Sequence, residues 1–127
     1  MAGIGLGTWG LGGVYYGEVS KAEGVATVRA FLDAGGCHID TAFSYHKSEE
    51  VIGEAIRPYK REDLFLTSKT YAGCFGEVDP AKIRTDLEIS LRDLGTDYLD
   101  AYLIHGTPAD RDHLLRLLEA LESKSVS

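Results

Sequence analysis

Four short apolar runs alternate with four longer segments of helical periodicity, and this alternation limits the fold more than any other feature. The runs fall at residues 3–8, 37–42, 64–68 and 98–104. The stripes between and after them are Val25, Val28 and Leu32; then Val51, Ile52, Ala55 and Ile56; then Ile83, Leu87, Leu91 and Leu94; then Leu114, Leu117, Leu118 and Leu121. Spacings of three and four put each stripe on one helix face. Strands alternating with helices predict an α/β fold with a parallel sheet and crossover connections, in the order βαβαβαβα.

Local punctuation supports the boundaries. Ser20 and Glu23 form an S-x-x-E capping box ahead of the first helix, and Gly35-Gly36 ends it. Ser48 is expected to cap the second helix, and Pro58 to stop it. Asp79-Pro80 supplies a cap with proline at the first helical position, and Gly95 closes that helix. Thr107-Pro108 repeats the same logic before the fourth helix.

The segment GLGTWG, residues 5–10, matches the G-x-G-x-x-G dinucleotide fingerprint. In a Rossmann unit the third glycine opens the helix directly. Here ten residues separate Gly10 from Ser20, and the acidic residue expected about 20 residues on is poorly placed. A loop in which glycine lets another group approach the backbone is the better account.

Composition excludes several classes. A net charge of −7 is the wrong balance for a non-specific nucleic-acid binder. No apolar run approaches the roughly 18 residues that span a bilayer, and the first residues carry no basic signal-peptide region. Cys37 and Cys74 form no C-x-x-C pair and read as free thiols, which points to a cytoplasmic location. His38 reads as a strand residue and His113 as a solvated helix residue. Their spacing offers no metal site.

Four polar residues sit where the apolar runs end. Asp40 ends the second run, Tyr45 follows in the loop, Lys69 ends the third run and His105 ends the fourth. In a parallel α/β sheet all strand ends of one sense lie on one side, so the four converge. A tyrosine with a pKa near 10 is a poor acid at neutrality. A lysine ammonium beside it is expected to lower that value, and Asp40 can hold the lysine charged. His105 can donate a hydrogen bond to a substrate oxygen. The set suits protonation of an oxygen that becomes negative as a carbonyl accepts hydride.

In these contexts the chain resembles the aldo-keto reductases. The matching pieces are GLGTWG, DAGGCHIDTAFSYHKSEEVIGEAI, LFLTSK, LEISLRDLGTDYLD and AYLIHG. The resemblance implies the N-terminal half of a TIM (β/α)8 barrel, about four βα units. It implies Tyr45 as general acid, Lys69 as modulator of its pKa, Asp40 as the lysine's partner and His105 as carbonyl orienter. It places Gly7, Thr8, Trp9 and Asp40 beside an NADP(H) cofactor, with a small aldehyde or ketone as substrate. His46 departs from the family pattern, which often has glycine after the tyrosine.

A full barrel runs to about 250 residues. Residues 1–127 therefore read as one partial domain, truncated at both ends, with two sheet edges open to self-association. Two other readings stand beside the reductase: a non-catalytic, cofactor-sensing accessory module like the potassium-channel β subunits that the same resemblance reaches, and an inactive fragment.

Overall fold

The computed structural model describes residues 3–14 and 16–122. Among them, strands β1 (Leu6–Gly7), β2 (His38–Asp40), β3 (Phe65–Thr70) and β4 (Ala101–Ile104) form one sheet in that order, every neighbouring pair parallel. Helices α1 (Lys21–Asp33), α2 (Ser48–Ile56), α3 (Pro80–Leu94) and α4 (Arg111–Glu122) follow the strands in turn. The α/β class and the half-barrel order expected from the sequence are the observed ones.

The sheet buries one face against the helices. Ile39 and Leu66 point into a layer made by Val28 of α1, Ile52 and Ala55 of α2 and Leu94 of α3. On β3 the residues between these alternate outward, because successive strand side chains take opposite faces. Phe65 and, on β4, Leu103 are each 44% exposed on the face away from the helices. A smaller cluster of Ala72, Ile83, Leu117 and Ala120 joins α3 and α4 to the sheet.

Helix ends follow the predicted signals in most places. Ser20 accepts the Glu23 N–H at 3.2 Å, and the Glu23 carboxylate takes the Ser20 N–H at 3.0 Å. Gly35 adopts φ +88°, a left-handed conformation that glycine enters cheaply. The Asp79 carboxylate accepts the Ala81 and Lys82 N–H groups, so the Asp-Pro cap forms.

Several boundaries differ, each for a local reason. Strand β1 is shorter than residues 3–8, because pairing with β2 begins at Leu6 and a 3-10 turn over Trp9–Gly12 takes the chain away after Thr8. Pairing across β2 covers only His38–Asp40 of residues 37–42. Strand β3 runs past Ser68 to Thr70, since β4 extends the ladder through Thr70↔Ile104. Strand β4 starts at Ala101, not at Tyr98. The Asp100 carboxylate takes the Leu66 N–H at 2.8 Å and the Arg61 guanidinium at 2.7 Å, while Arg61 also binds the Tyr98 carbonyl.

Two predicted caps are also corrected. Ser48 is the first residue of α2, and its hydroxyl turns inward. Lys47 stands at the cap without a side-chain bond. Asp110, not Thr107, caps α4, accepting the His113 N–H at 2.8 Å. His113 itself is 4% exposed rather than solvated. In α3 the buried face includes Asp86 and Ser90, while the expected Leu87 and Leu91 flank it.

Candidate active site

The site is assembled from the carboxyl ends of the strands. Asp40 is the last residue of β2, in register with Gly7 and Thr67. Lys69 lies near the end of β3. His105 follows β4, and its N–H donates to the Thr70 carbonyl at 2.8 Å, which continues the ladder by one residue. Tyr45 lies in the turn after β2, its N–H on the Ala42 carbonyl at 3.0 Å.

These residues meet. Lys69 Nζ donates to Asp40 Oδ2 at 2.7 Å and to the Thr41 carbonyl at 2.8 Å. The same ammonium lies 5.2 Å from the centre of the Tyr45 ring, within cation–π range. Tyr45 and His105 make an edge-to-face pair with centroids 5.4 Å apart. All four side chains expected to carry chemistry thus form one contiguous group.

The electrostatics run partly against expectation. Burial pushes the Tyr45 phenol above its ordinary value, and the Asp40 carboxylate adds to the rise. The expected depression by Lys69 is not the net result, since that ammonium is tied to Asp40. Burial, then the Lys69 charge, lowers the His105 imidazole below its ordinary range. His105 is therefore neutral near pH 7 and can orient an oxygen by a hydrogen bond instead of protonating it.

Thr8 is 1% exposed and does not face the cleft. Its N–H and its hydroxyl both bind the Asp40 carbonyl, at 3.0 and 2.9 Å. Ser48 Oγ lies 2.9 Å from Thr8 Oγ1 and 3.1 Å from Thr41 Oγ1. Three buried hydroxyls thereby fasten the ends of β1 and β2 to α2. Within GLGTWG only Gly5 is closely approached, a Cβ there standing 3.2 Å from His38 Nδ1. The tightest approach lies two residues past the motif, where a Cβ at Gly12 would stand 2.5 Å from the Tyr45 carbonyl oxygen. Gly7 has no such neighbour, because a Cβ there meets nothing within 4 Å.

Trp9 is 45% exposed and packs edge-on against Tyr16 at 5.4 Å. With Ser44, Tyr45, His46, Tyr71 and His105 it lines a cleft of about 360 Å³. Larger clefts lie between the outer helices, away from this chemistry. Sequence reasoning missed Ser44 and Tyr71. Ser44 Oγ is 3.3 Å from His105 Nδ1, and the Tyr71 ring stacks on the imidazole at 4.3 Å and 15°. The signal for Tyr71 was position alone, one residue beyond the end of β3.

Comparison with known proteins accords with this geometry. A sequence model of the Aldo/keto reductase family matches residues 3–125. The chain belongs to that family. It is 40% identical over 110 residues to the aldo-keto reductase YhdN of Bacillus subtilis (strain 168), covering 80% of this chain and 33% of that protein. It is 42% identical over 94 residues to human aldo-keto reductase family 1 member C2, covering 69% of this chain and 28% of the relative. An aldo-keto reductase from Klebsiella pneumoniae solved with NADPH superposes with a TM-score of 0.75 at 40% identity, over 94% of this chain and 39% of that one. This aldo/keto reductase chain spans about a third of the curated relatives it matches. Its fold is the corresponding part of their barrel.

Proposed function

We propose that this aldo/keto reductase chain carries the proton-donating part of a site that reduces an aldehyde or ketone to an alcohol with NADPH. The observation that carries the reading is the Lys69–Asp40 ion pair set beneath the Tyr45 ring with His105 edge-on to it. Tyr45 holds the proton until a substrate oxygen becomes basic enough to take it. As the proton leaves, the Lys69 ammonium is the nearby charge that favours the phenolate. Asp40 and the Thr41 carbonyl hold that ammonium in place. Neutral His105 directs the substrate oxygen, and Tyr71, stacked on it, fixes the plane of the imidazole.

The residues present fit one end of the cofactor. Asp40 keeps a partly exposed carboxylate beside the cleft, and Trp9 offers an aromatic wall. When bound, a reduced nicotinamide supplies the hydride, which no side chain here can. Gly7, Thr8, Trp9 and Asp40 are the residues we assign to its neighbourhood, with Thr8 acting through Asp40. We assign residues 1–127 to a partial barrel domain. β1 and β4 are the outer strands of the sheet, and their outer edges are surfaces for pairing with a second copy.

Two measurements test the proposal. Trp9 is the single tryptophan, so NADPH titration is expected to quench its fluorescence. NADPH oxidation with a generic aldehyde is expected to fall by about 10²- to 10⁴-fold in Tyr45→Phe, and as severely in Lys69→Met. A flat titration, or Tyr45→Phe turning over as fast as the parent, overturns the reading.

A further inference from the structure

We propose that the His113 side chain is a latch that holds the β3–α3 loop on α4 and so positions Tyr71 over His105. The latch stands on geometry alone. Its importance as a positioning device rests on the proposed function.

His113 is buried at the start of α4 and lies outside the group assigned to chemistry. Its backbone N–H caps the helix through Asp110, a task that needs no imidazole. The ring does something else. Nδ1 accepts the Ala109 N–H at 3.1 Å. Nε2 meets the Gly73 carbonyl, which can only accept, so Nε2 carries the proton and the tautomer is fixed. One neutral imidazole thereby joins the segment before α4 to the loop after β3.

Gly73 is built for this contact. It has φ +76°, and a Cβ there would lie 2.9 Å from Leu117 Cδ2 and 3.2 Å from Val78 Cα. The loop backbone therefore sits directly on α4. Two residues before Gly73, Tyr71 stacks on His105, and the Cys74 N–H bonds the Tyr71 carbonyl at 2.9 Å. A Cβ at Gly106 would stand 3.1 Å from Phe75 Cζ and 3.2 Å from Cys74 Cβ, so the loop is wedged on the β4–α4 side as well. The path from α4 to the wall of the cleft is one hydrogen bond and a single turn of backbone.

Cys74 reports the state of the latch. It is a residue of the loop itself, 2% exposed, with Sγ on the Thr70 carbonyl, and burial pushes its thiol up. It should alkylate slowly while the loop is seated. Cys37, half-buried before β2, is the reference thiol. His113→Asn keeps an acceptor near the Nδ1 position but does not reach Gly73. His113→Gln keeps a donor at about the Nε2 position.

Iodoacetamide labelling of the whole chain, read by peptide mass spectrometry, should show Cys74 reacting about tenfold faster in His113→Asn. In His113→Gln the rate should stay within about twofold of the parent. Cys37 should be unchanged in both variants. The His105 ring proton shifts should move in the Asn variant alone, as the Tyr71 ring current departs.

Equal Cys74 rates in the Asn variant and the parent, or a Gln variant that behaves like Asn, overturn the proposal. If circular dichroism shows either variant unfolded, the ring nitrogen spectrum of the unaltered chain decides. A protected Nε2 proton on His113 supports the latch, and an Nδ1–H tautomer sinks it. None of these readouts needs cofactor binding or turnover, so a failed reductase assay leaves the result on the latch intact.

Discussion

Where the sheet meets α1 and α2 it presents Ile39 and Leu66 to Val28, Ile52 and Ala55, an apolar cluster with hydroxyls only at its rim, where Thr8, Thr41 and Ser48 meet. Where it meets the start of α2 and then α3, it presents Ser68 and Thr70, and both are tied to buried carboxylates. Ser68 Oγ donates to Glu49 Oε1 at 2.6 Å, and Thr70 Oγ1 to Asp86 Oδ2 at 2.7 Å. Both regions use the same βα unit. The first is held by non-directional burial, which tolerates repacking. The second depends on particular hydrogen bonds, each costly to leave half-made. The loops that carry Tyr71 and His105 leave the sheet beside this polar region, so the geometry of the candidate site rests on directional contacts.

Core truncation is the strongest way to break the comparison. Ile52→Ala removes a fully buried side chain from the apolar layer and is expected to cost about 3–4 kcal/mol in denaturant unfolding. Leu117→Ala, also fully buried but in the small α3–α4 cluster, should cost nearer 2–3 kcal/mol, because fewer apolar neighbours surround it. Equal losses would show that the two regions share one core.

The second comparison turns on pH. Burial raises the Glu49 carboxyl above the ordinary carboxylate range, with the Ser68 hydrogen bond opposing. The folded state therefore keeps a proton that the unfolded chain releases. The stability this contributes is present below the unfolded value and lost as pH rises through the folded one. The slope cannot exceed about 1.4 kcal/mol per pH unit for one proton. Glu49→Gln should flatten that part of the stability profile, measured by thermal melts from acid to neutral pH. An unchanged profile would show that Glu49 is ionised when folded.

The smallest expected effects are at helix caps. Ser20→Ala breaks the capping box of α1, and Asp79→Ala removes the cap of α3, each costing about 1 kcal/mol. Because these caps are exposed, the two losses should match despite the different cores above them. A much larger loss at Asp79 would mean that the polar half depends on its helix ends more than the apolar half does.

The legible features were those written within a few residues. The stripes of α1 and α2, the capping box, the Asp-Pro cap and the glycine stops are local, and they form as read. The buried faces of α3 and α4, by contrast, leave Leu87, Leu91, Leu114 and Leu118 at their margins or exposed. Asp40, Lys69 and His105 were found because strand ends in a parallel sheet share a side, so position alone brought them together. Two of the misread features had partners far along the chain. Ser48 has the composition of a cap, yet its hydroxyl serves Thr8, forty residues earlier. Asp100 looked like part of a strand, but its carboxylate takes a ladder bond from Leu66.

The sequence by itself determined the order of elements, the parallel sense of the sheet and the side on which the polar strand ends gather. Those follow from periodicity and chain connectivity, which are local or topological. Only the tertiary structure decided that His113 is buried with a fixed tautomer, that Tyr71 stacks on His105, and that burial with Asp40 raises the Tyr45 phenol. Each depends on burial and on charges brought close by folding, and both are sums over neighbours that no short window of sequence contains.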